Sequence, residues 1–304
     1  MEDAKEARSN YAPEHLFFEV NSSKSRSSPR IKDDYSFVIA SIMKLFAVVL
    51  VSSLHLMLHG AEPQPLITTT GKLLLDEDFS EKEIPKIFRV LESAASFSMV
   101  DGALQAESRA GQKRSTHGVV MVRAHDLTVM FDVKFTKPGS LFIGVDGYKK
   151  EFKGFTHLVR FSLTPERIAW DQHRGGPESK HAISDANRAA RAAKQTITRA
   201  TPEQLADPDF FRIEDLTSKP IHCAVDEWHR VLIEVSGNEL VAQVDGEKLF
   251  ATAAEADSQK NRVGFGLTGH GIALIKNLRI NENTRRADWQ QAKVAAATDA
   301  AEKK

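Results

Sequence analysis

The chain has 304 residues and a formal net charge of zero, because 41 basic side chains balance 41 acidic ones. This balance excludes electrostatic attraction to nucleic acid or to an anionic membrane surface as the main mode of binding, so shape and specific polar groups must recognise the partner. The length allows one or two domains, and we expect one core domain because both ends differ in composition from the middle.

A candidate secretory signal lies inside the chain, at residues 43–61. Lys44 precedes about 14 apolar residues and then small residues, the order typical of a cleaved signal peptide. We predict Met43 as the initiator, residues 1–42 as a polar extension before it and residues 62–71 as a linker. The alternative, an uncleaved anchor helix, needs about 20 apolar residues. We therefore expect a periplasmic or secreted protein with no stable membrane span after cleavage.

Residues 72–171 alternate apolar and polar side chains in short runs, as half-buried strands do. Asp-Gly pairs separate several runs, and such pairs favour the positive φ angles of tight hairpin turns. Three Val-Asp-Gly segments, including the one with Asp146 and Gly147, are interpreted as turns. We predict strands at residues 73–79, 97–100, 103–107, 118–123, 127–135, 141–145, 155–163 and 167–171.

A polar insertion at residues 172–226 interrupts the strand pattern. Ser184 is suited to cap a helix that runs to Lys194, and Thr201 followed by Pro202 begins a second short helix. A connection this long is a lid over a site, an oligomer contact or a mobile flap, and we favour the lid.

Five further strands follow at residues 228–280, and we predict that they form one antiparallel meander with a clear hairpin turn at Asp245 and Gly246. About a dozen short strands with turns every eight to twelve residues predict an all-β fold. The expected architecture is a two-layer antiparallel jelly-roll sandwich over residues 72–282, with a partly helical insertion. Residues 283–304 form a polar, alanine-rich tail.

Several strand signatures together resemble concanavalin A-like lectin and glucanase sandwiches. They are Leu-Leu-Leu-Asp-Glu-Asp-Phe at 73–79, Val-Asp-Gly-Ala-Leu at 100–104, Trp-His-Arg-Val at 228–231, Val-Asp-Gly at 244–246, Val-Gly-Phe-Gly-Leu at 263–267 and Lys-Asn-Leu-Arg-Ile at 276–280. Within that group the chain most resembles exported bacterial 3-keto-disaccharide hydrolase-like domains. The resemblance implies a curved sandwich whose concave sheet faces a saccharide or polysaccharide fragment, which some members cleave.

Two motifs of these groups are missing from the sequence. Residues 139–145 are Gly-Ser-Leu-Phe-Ile-Gly-Val, where many hydrolase-like members carry Asn-Ser-Gly-Ile followed by Arg. The Glu-x-Asp-x-x-Glu strand of laminarinase-type glycoside hydrolases, which puts its carboxylates on one face, is absent too. We therefore do not expect retaining or inverting hydrolysis by that route.

The candidate catalytic residues are His157, Asp171 and His173. His157 is in register with core residues of its predicted strand, so a buried structural histidine is the alternative to a general base that works near pH 7. In an unbroken strand, His157 and Arg160 would point to opposite faces. Asp171 and His173 follow where the insertion begins.

The candidate substrate-binding residues are Trp170, Gln172, Arg174 and Tyr148. Aromatic rings stack on sugar rings, and amides and charged groups bind hydroxyl groups, so this mixture is typical of a sugar site. The alternative for Trp170 is a core position paired with Ile168.

We predict neither a cofactor nor a metal site. The histidines are too scattered to supply a zinc ligand pair. Asp146 is a conceivable ligand of a structural calcium ion, but the turn interpretation is favoured because no spaced series of acidic ligands follows it. Cys223 is the only cysteine, and we predict that it is a buried small hydrophobe rather than a reactive thiol.

Three functions remain open at this stage. The first is an exported carbohydrate-engaging domain. The second is a hydrolase or lyase of the 3-keto-glycoside class, in which a base removes the acidic proton next to the ketone; this needs His157, Asp171 or His173 close together. The third is a non-catalytic structural or adhesion module of a cell surface that binds protein partners through the insertion.

Overall fold

This computed structural model describes residues 62–90, 96–108, 116–193 and 200–302. The predicted leader at 43–61 and the extension at 1–42 lie outside these ranges, so both stay predictions. Within the ranges, no helix combines the length and the apolar character that crossing a membrane requires.

Strands dominate the described residues. They are β1 (Thr68–Glu77), β2 (Phe88–Val90), β3 (Ser96–Val100), β4 (Ala103–Glu107), β5 (Thr116–Ala124), β6 (Leu127–Lys137), β7 (Ser140–Lys149), β8 (Gly154–Thr164), β9 (Arg167–Arg174), β10 (Arg212–Pro220), β11 (His229–Ser236), β12 (Glu239–Val244), β13 (Glu247–Thr252), β14 (Lys260–Thr268) and β15 (Ile272–Arg285). The helices are α1 (Pro177–Ala192), α2 (Pro202–Ala206) and α3 (Trp289–Glu302), with a short 3-10 turn at Ala254–Ala256.

The strands pair antiparallel in two sheets. The eight-stranded sheet has the order β13-β12-β11-β6-β15-β4-β3, and β1 also pairs with β15. The seven-stranded sheet has the order β10-β9-β8-β7-β14-β5-β2. Buried apolar residues of both sheets form one core cluster between them. The predicted two-layer antiparallel jelly-roll sandwich is confirmed.

The period-two pattern determines which side chains fill that core. In β6 of the eight-stranded sheet, five alternate apolar residues from Leu127 to Phe135 are fully buried. In β14 of the opposite sheet, Val263, Phe265 and Leu267 are also fully buried. Burial of apolar surface stabilises the fold by about 25 cal/mol per Å². The intervening residues of each strand point to the outer face of their sheet.

The hairpin turns follow the sequence at two of the three Val-Asp-Gly segments. Asp101 and Gly102 have φ angles of 49° and 70°, and Asp245 and Gly246 have φ angles of 47° and 89°, which suit type I′ turns. The turn predicted at Asp146 is wrong. There β7 continues to Lys149 in register with β8, because the Asp146 side chain is held by neighbouring strands of the sheet instead of closing a local turn.

The predicted five-strand meander is correct only for β11, β12 and β13. The next strand, β14, lies in the other sheet between β7 and β5, and β15 then returns to a place between β6 and β4. Alternation of apolar and polar residues identifies a strand and its buried face, but it does not say to which sheet the strand belongs.

The insertion is shorter than predicted, and its first helix is longer. Its first residues, 172–174, extend β9, and β10 adds an edge strand to the seven-stranded sheet. Helix α1 begins at Pro177, so position 184 lies inside the helix and not at its N-terminus. Helix α2 begins as predicted, since the Thr201 hydroxyl accepts a hydrogen bond from the backbone N–H of Gln204. In the C-terminal tail, β15 extends to Arg285 before α3 begins.

Candidate functional site

The outer face of the seven-stranded sheet carries charged and imidazole side chains on five neighbouring strands. These strands are β5, β14, β7, β8 and β9. We call this group the histidine cluster, and its members are His117, Arg262, Asp146, His157, Arg160, Asp171 and His173.

A β-bulge places His157 and Arg160 on the same face of β8. Two successive residues of β7 pair with positions 159 and 157 of β8, so Leu158 is an extra residue in the ladder. One extra residue shifts the alternation of side chains by one position. Strand β8 is therefore not unbroken, and His157 and Arg160 do not point to opposite faces as they would in an unbroken strand.

Two glycines make room for the imidazole rings. Gly144 and Gly264 are paired neighbours on β7 and β14. A Cβ atom added to Gly144 would lie 2.7 Å from His157 Nδ1, and one added to Gly264 would lie 2.7 Å from His117 Nε2. Both rings therefore lie directly against the backbone of the sheet, where no larger residue fits.

Asp146 is the buried centre of the cluster, and its side chain is fully inaccessible to solvent. Its Oδ1 lies 2.5 Å from His157 Nδ1, and Arg262 Nε donates to its Oδ2 over 2.5 Å. Burial opposes ionisation of Asp146, but the hydrogen bonds and charges of His157 and Arg262 outweigh it and hold the pKa below its usual value. The resulting carboxylate fixes the His157 proton on Nδ1 and leaves Nε2 as the basic nitrogen.

Asp171 forms the second ion pair of the cluster. Arg160 donates to Oδ2 from Nε at 2.9 Å, while the buried Oδ1 has no hydrogen-bond partner among the described residues. His173 Nε2 lies 3.8 Å from Oδ1, too far for a hydrogen bond. Burial raises the pKa of Asp171 in spite of the opposing charge of Arg160.

His173 and His117 are uncharged at neutral pH. Burial, reinforced by the nearby His157, lowers the pKa of His173 to about 3 and that of His117 to about 4. Within the described part of the chain, both ring nitrogens of His173 and Nε2 of His117 are buried without a hydrogen-bond partner. A buried polar atom without a partner costs about 1–3 kcal/mol, so several of them side by side indicate a place for a polar ligand.

Aromatic rings surround the cluster. The ring centroids of His157 and His173 are 4.9 Å apart, and the Phe142 ring lies 5.8 Å from that of His117. At the end of the β7–β8 hairpin, the exposed rings of Tyr148 and Phe155 meet edge to face at 5.8 Å. These rings offer the flat apolar surfaces on which sugar rings stack.

The insertion lies beside the cluster. The Lys180 ammonium of α1 is 5.3 Å from the ring centre of Phe152 and 5.1 Å from that of Phe211. The Phe211 ring in turn contacts His173, with the centroids 5.6 Å apart. Thus α1 and the residues before β10 border the cluster on its β9 side.

The structure brings the three candidate catalytic residues together. His157, Asp171 and His173 lie on one face of the sheet. The ring centroids of His157 and His173 are 4.9 Å apart, and His173 Nε2 lies 3.8 Å from Asp171 Oδ1. Trp170 is different: it is fully buried, with its ring 5.3 Å from that of Phe161 in the core. Its prediction as a sugar-stacking residue is wrong, because its strand position points inward, as the alternative with Ile168 required.

The other predicted binding residues lie outside the cluster. Gln172 is buried on the inner face of β9 and donates to Glu214 over 2.8 Å. Arg174 lies at the strand end, 3.5 Å from the same carboxylate. Gln172 and Arg174 therefore connect β9 to the edge strand β10 through Glu214. Tyr148 is 53% exposed and remains available for binding.

Four members of the histidine cluster were not predicted from the sequence. His117 and Arg262 come from strands distant in the chain, Asp146 was assigned to a turn, and Arg160 was expected to face away from His157. Lys180, beside the cluster, lies in the insertion. One usable signal was the alternation of glycines with core residues at 264 and 266, because a strand without side chains on its outer face leaves room for neighbouring rings.

A cavity of about 360 Å³ lies away from the histidine cluster, between β10 and the β12–β13 turn. Its lining includes His222, Cys223 and Asp245. Cys223 is buried, as predicted, and burial raises the pKa of its thiol to about 12, so the thiol is not ionised at neutral pH. His229 is held by Asp245 at 2.6 Å and by the Ala224 carbonyl at 2.9 Å, which fits a structural role.

No three His, Cys, Asp or Glu side chains in the described ranges converge on a point suited to a metal ion. In the cluster, both oxygens of Asp146 already bind a protein group each. We assign no metal ligand to it.

No protein-family model matches the chain, and no curated protein matches it. Solved structures with a similar arrangement include a sialidase, with 13% identity and a TM-score of 0.45 over 73% of this chain and 19% of the sialidase. LamAcat from Zobellia galactanivorans matches with 12% identity and a TM-score of 0.46 over 70% of this chain and 98% of its own.

A third similar structure is a protein of unknown function with a galectin-like fold from Bacillus subtilis. It matches with 11% identity and a TM-score of 0.43 over 72% of this chain and 100% of its own. The chain spans about a fifth of the length of the sialidase. At these values no residue role is transferred from any of the three to this chain.

Proposed function

We propose that the protein binds a saccharide on the outer face of the seven-stranded sheet and that His157 acts there as a general base. The observation that carries the proposal is the 2.5 Å contact between His157 and the buried carboxylate of Asp146. A carboxylate behind an imidazole fixes its tautomer and stabilises the protonated ring, which is what a general base requires. One fifth of the His157 side chain is exposed, so a ligand can contact the ring.

The hydrogen-bonding groups beside His157 suit the hydroxyl groups of a sugar. A neutral imidazole has one donor and one acceptor, and both nitrogens of His173 are without a protein partner in the described ranges. Asp171 Oδ1 adds an acceptor of the same kind. These atoms are buried, so a saccharide must open the site to reach them; its hydroxyl groups would then donate and accept there and remove the cost of their burial.

The sequence resemblance suggests the reaction class, and the His157–Asp146 pair supplies the base that this class needs. In a 3-keto-glycoside, His157 Nε2 takes the proton from C2, next to the ketone, and the electrons of the C–H bond form an enolate. The enolate re-forms the ketone as the C1–O bond breaks, and the departing oxygen takes the proton from His157. Arg160 and Arg262 provide positive charge for the enolate oxygen.

Turnover of a 3-keto-glucoside by matched variants tests the proposal. We expect His157→Ala to lower turnover by about 10²–10⁴-fold, because general-base catalysis contributes that much. Asp146→Asn should also lower turnover, since it removes the charge that orients His157. His222→Ala is the matched control, an exposed histidine at the remote cavity, and it should leave turnover unchanged.

The same proteins separate the remaining functions. Far-ultraviolet circular dichroism and thermal unfolding establish that each variant is folded. Saccharide binding without turnover in the unmodified protein would identify a binding module. Neither binding nor turnover would favour a structural or adhesion module. Full turnover by folded His157→Ala protein would contradict the role of His157.

A further inference from the structure

Lys180 is an unpaired cation at the border of the histidine cluster. The two arginines of the cluster have carboxylate partners, Arg262 with Asp146 and Arg160 with Asp171. Lys180 forms no ion pair with any residue that the structure describes. Its ammonium instead lies near the rings of Phe152 and Phe211, which attract a cation but do not neutralise its charge.

The surroundings of Lys180 make this arrangement costly unless an anion binds there. The side chain is half-buried, and burial lowers the pKa of Lys180, with the charges of Asp146 and Arg262 both close enough to contribute. Removing an ammonium from water without a counterion is unfavourable. Charged groups with perturbed pKa values cluster at functional sites, which makes Lys180 a candidate for a role in binding.

A second observation points to a ligand site next to the ammonium. His173 is 8% exposed, both its ring nitrogens are buried without a hydrogen-bond partner in the described ranges, and its ring contacts Phe211, over which the Lys180 ammonium lies. The charge of Lys180 also contributes to lowering the pKa of His173, so the two groups are near one another. A ligand that binds His173 therefore passes close to Lys180.

We propose that the saccharide carries a negatively charged group, a carboxylate or a sulfate ester, and that Lys180 of the insertion binds it. This inference rests on the proposed saccharide site and names the class of saccharide. An oxyanion beside Lys180 forms charge-assisted hydrogen bonds to the ammonium, while His173 binds a hydroxyl of the same or the adjacent ring. The insertion then selects acidic over neutral saccharides.

Calorimetric titration of the full chain with three tetrasaccharides tests the inference. The probes are tetrasaccharides of galacturonic acid, of sulfated galactose and of unmodified galactose. We expect one of the acidic probes to bind at least about tenfold more tightly than the neutral one, and which one does so distinguishes carboxylate from sulfate. Raising the salt concentration should weaken only the acidic complex, because salt screens charge attraction.

Variants of Lys180 supply the decisive comparison. Lys180→Gln should lose about tenfold in affinity for the acidic probe and keep its affinity for the neutral one, whereas Lys180→Arg should retain binding of both. Lys86→Gln is the control, because Lys86 is exposed just before β2, at the opposite edge of the same sheet.

The outcomes separate this inference from the function on which it rests. Equal affinity for acidic and neutral probes, or full acidic binding by Lys180→Gln, would overturn the role of Lys180 and leave the saccharide site intact. Absence of binding by all three probes, together with absence of 3-keto-glucoside turnover, would overturn both.

Discussion

The position of His157 depends on the absence of a side chain at residue 144. A Cβ at Gly144 would lie 2.7 Å from His157 Nδ1, 2.8 Å from its Cε1 and 3.2 Å from Asp146 Oδ1. All three atoms belong to the hydrogen-bonded pair of His157 and Asp146, in which Asp146 orients the base. The glycine therefore contributes to function through the space that it leaves, and its backbone adopts an ordinary extended conformation.

We predict that Gly144→Ala lowers saccharide turnover at least about tenfold, because the methyl group displaces the ring and breaks its hydrogen bond to Asp146. The fold should persist, since residue 144 faces away from the core. Gly154→Ala is the control: its added Cβ would have only an ordinary contact, 3.7 Å from the Phe152 carbonyl oxygen. Unchanged turnover by Gly144→Ala would contradict the described His157 geometry.

His173 makes stability depend on pH in a predictable direction. Its pKa is about 3 in the folded protein against 6.5 as the ordinary value. Between these values the unfolded chain binds a proton that the folded protein excludes, so the stabilising contribution is complete above pH 6.5 and is lost as the pH falls toward 3. The slope for one proton is about 1.4 kcal/mol per pH unit.

We therefore predict that the free energy of unfolding in urea falls less between pH 7 and pH 4.5 in His173→Gln than in the unmodified protein, by about 2–3 kcal/mol. Titrating groups away from the cluster affect both proteins alike, so the difference reports on residue 173 and the cluster groups coupled to it. Parallel pH dependence of the two proteins would show that His173 titrates normally when folded.

At the scale of single elements, hairpins were predictable and the bulge was not. Asp101-Gly102 and Asp245-Gly246 adopt the positive φ angles that their residue types favour. The bulge at Leu158 depends on how many residues β8 matches against β7, which no local pattern records. Asp146 illustrates the same limit: the dipeptide suits a turn, yet partners in two neighbouring strands, His157 and Arg262, keep it in the sheet.

The insertion is an element added to a complete sandwich. The described residues of α1 and α2 contribute nothing to the core cluster. The chain leaves and returns at nearly the same place, since the Gly176 N–H donates to the Asp209 carbonyl over 2.7 Å. A short connection can therefore span the same ends.

We predict that replacing residues 177–208 with a short Gly-Ser linker leaves a cooperatively folded protein that has lost affinity for acidic saccharides. The free energy of unfolding should change by only about 1 kcal/mol, which corresponds to about 2–4 °C in Tm. Titration calorimetry measures the affinity, and scanning calorimetry measures the unfolding transition. A loss of cooperative unfolding would show that the insertion is part of the core after all.

On the scale of the whole molecule, the two outer faces differ. In the eight-stranded sheet, the buried Glu234 accepts hydrogen bonds from the backbone N–H groups of Leu66, Ile67 and Thr68, so residues just before β1 cover part of that face. In the seven-stranded sheet, the outer face presents buried polar atoms without protein partners. The sequence predicted the sandwich but not this asymmetry, which arises from contacts between residues far apart in the chain.

The histidines distinguish the two places where a ligand could bind. His157 and His173 mark the histidine cluster, while His222 lines the 360 Å³ cavity and His229 binds Asp245 beside it. Imidazole nitrogens report changes in hydrogen bonding through their chemical shifts. A glucoside without the ketone is a suitable ligand, because it can bind but lacks the acidic proton that the base would remove.

The most direct measurement is a titration of histidine-labelled protein with this glucoside, followed by nitrogen NMR of the imidazole rings. We predict saturable shifts of the His157 and His173 signals, with those of His222 and His229 unchanged. Shifts confined to His222 and His229, or no shift at saturating glucoside, would contradict it.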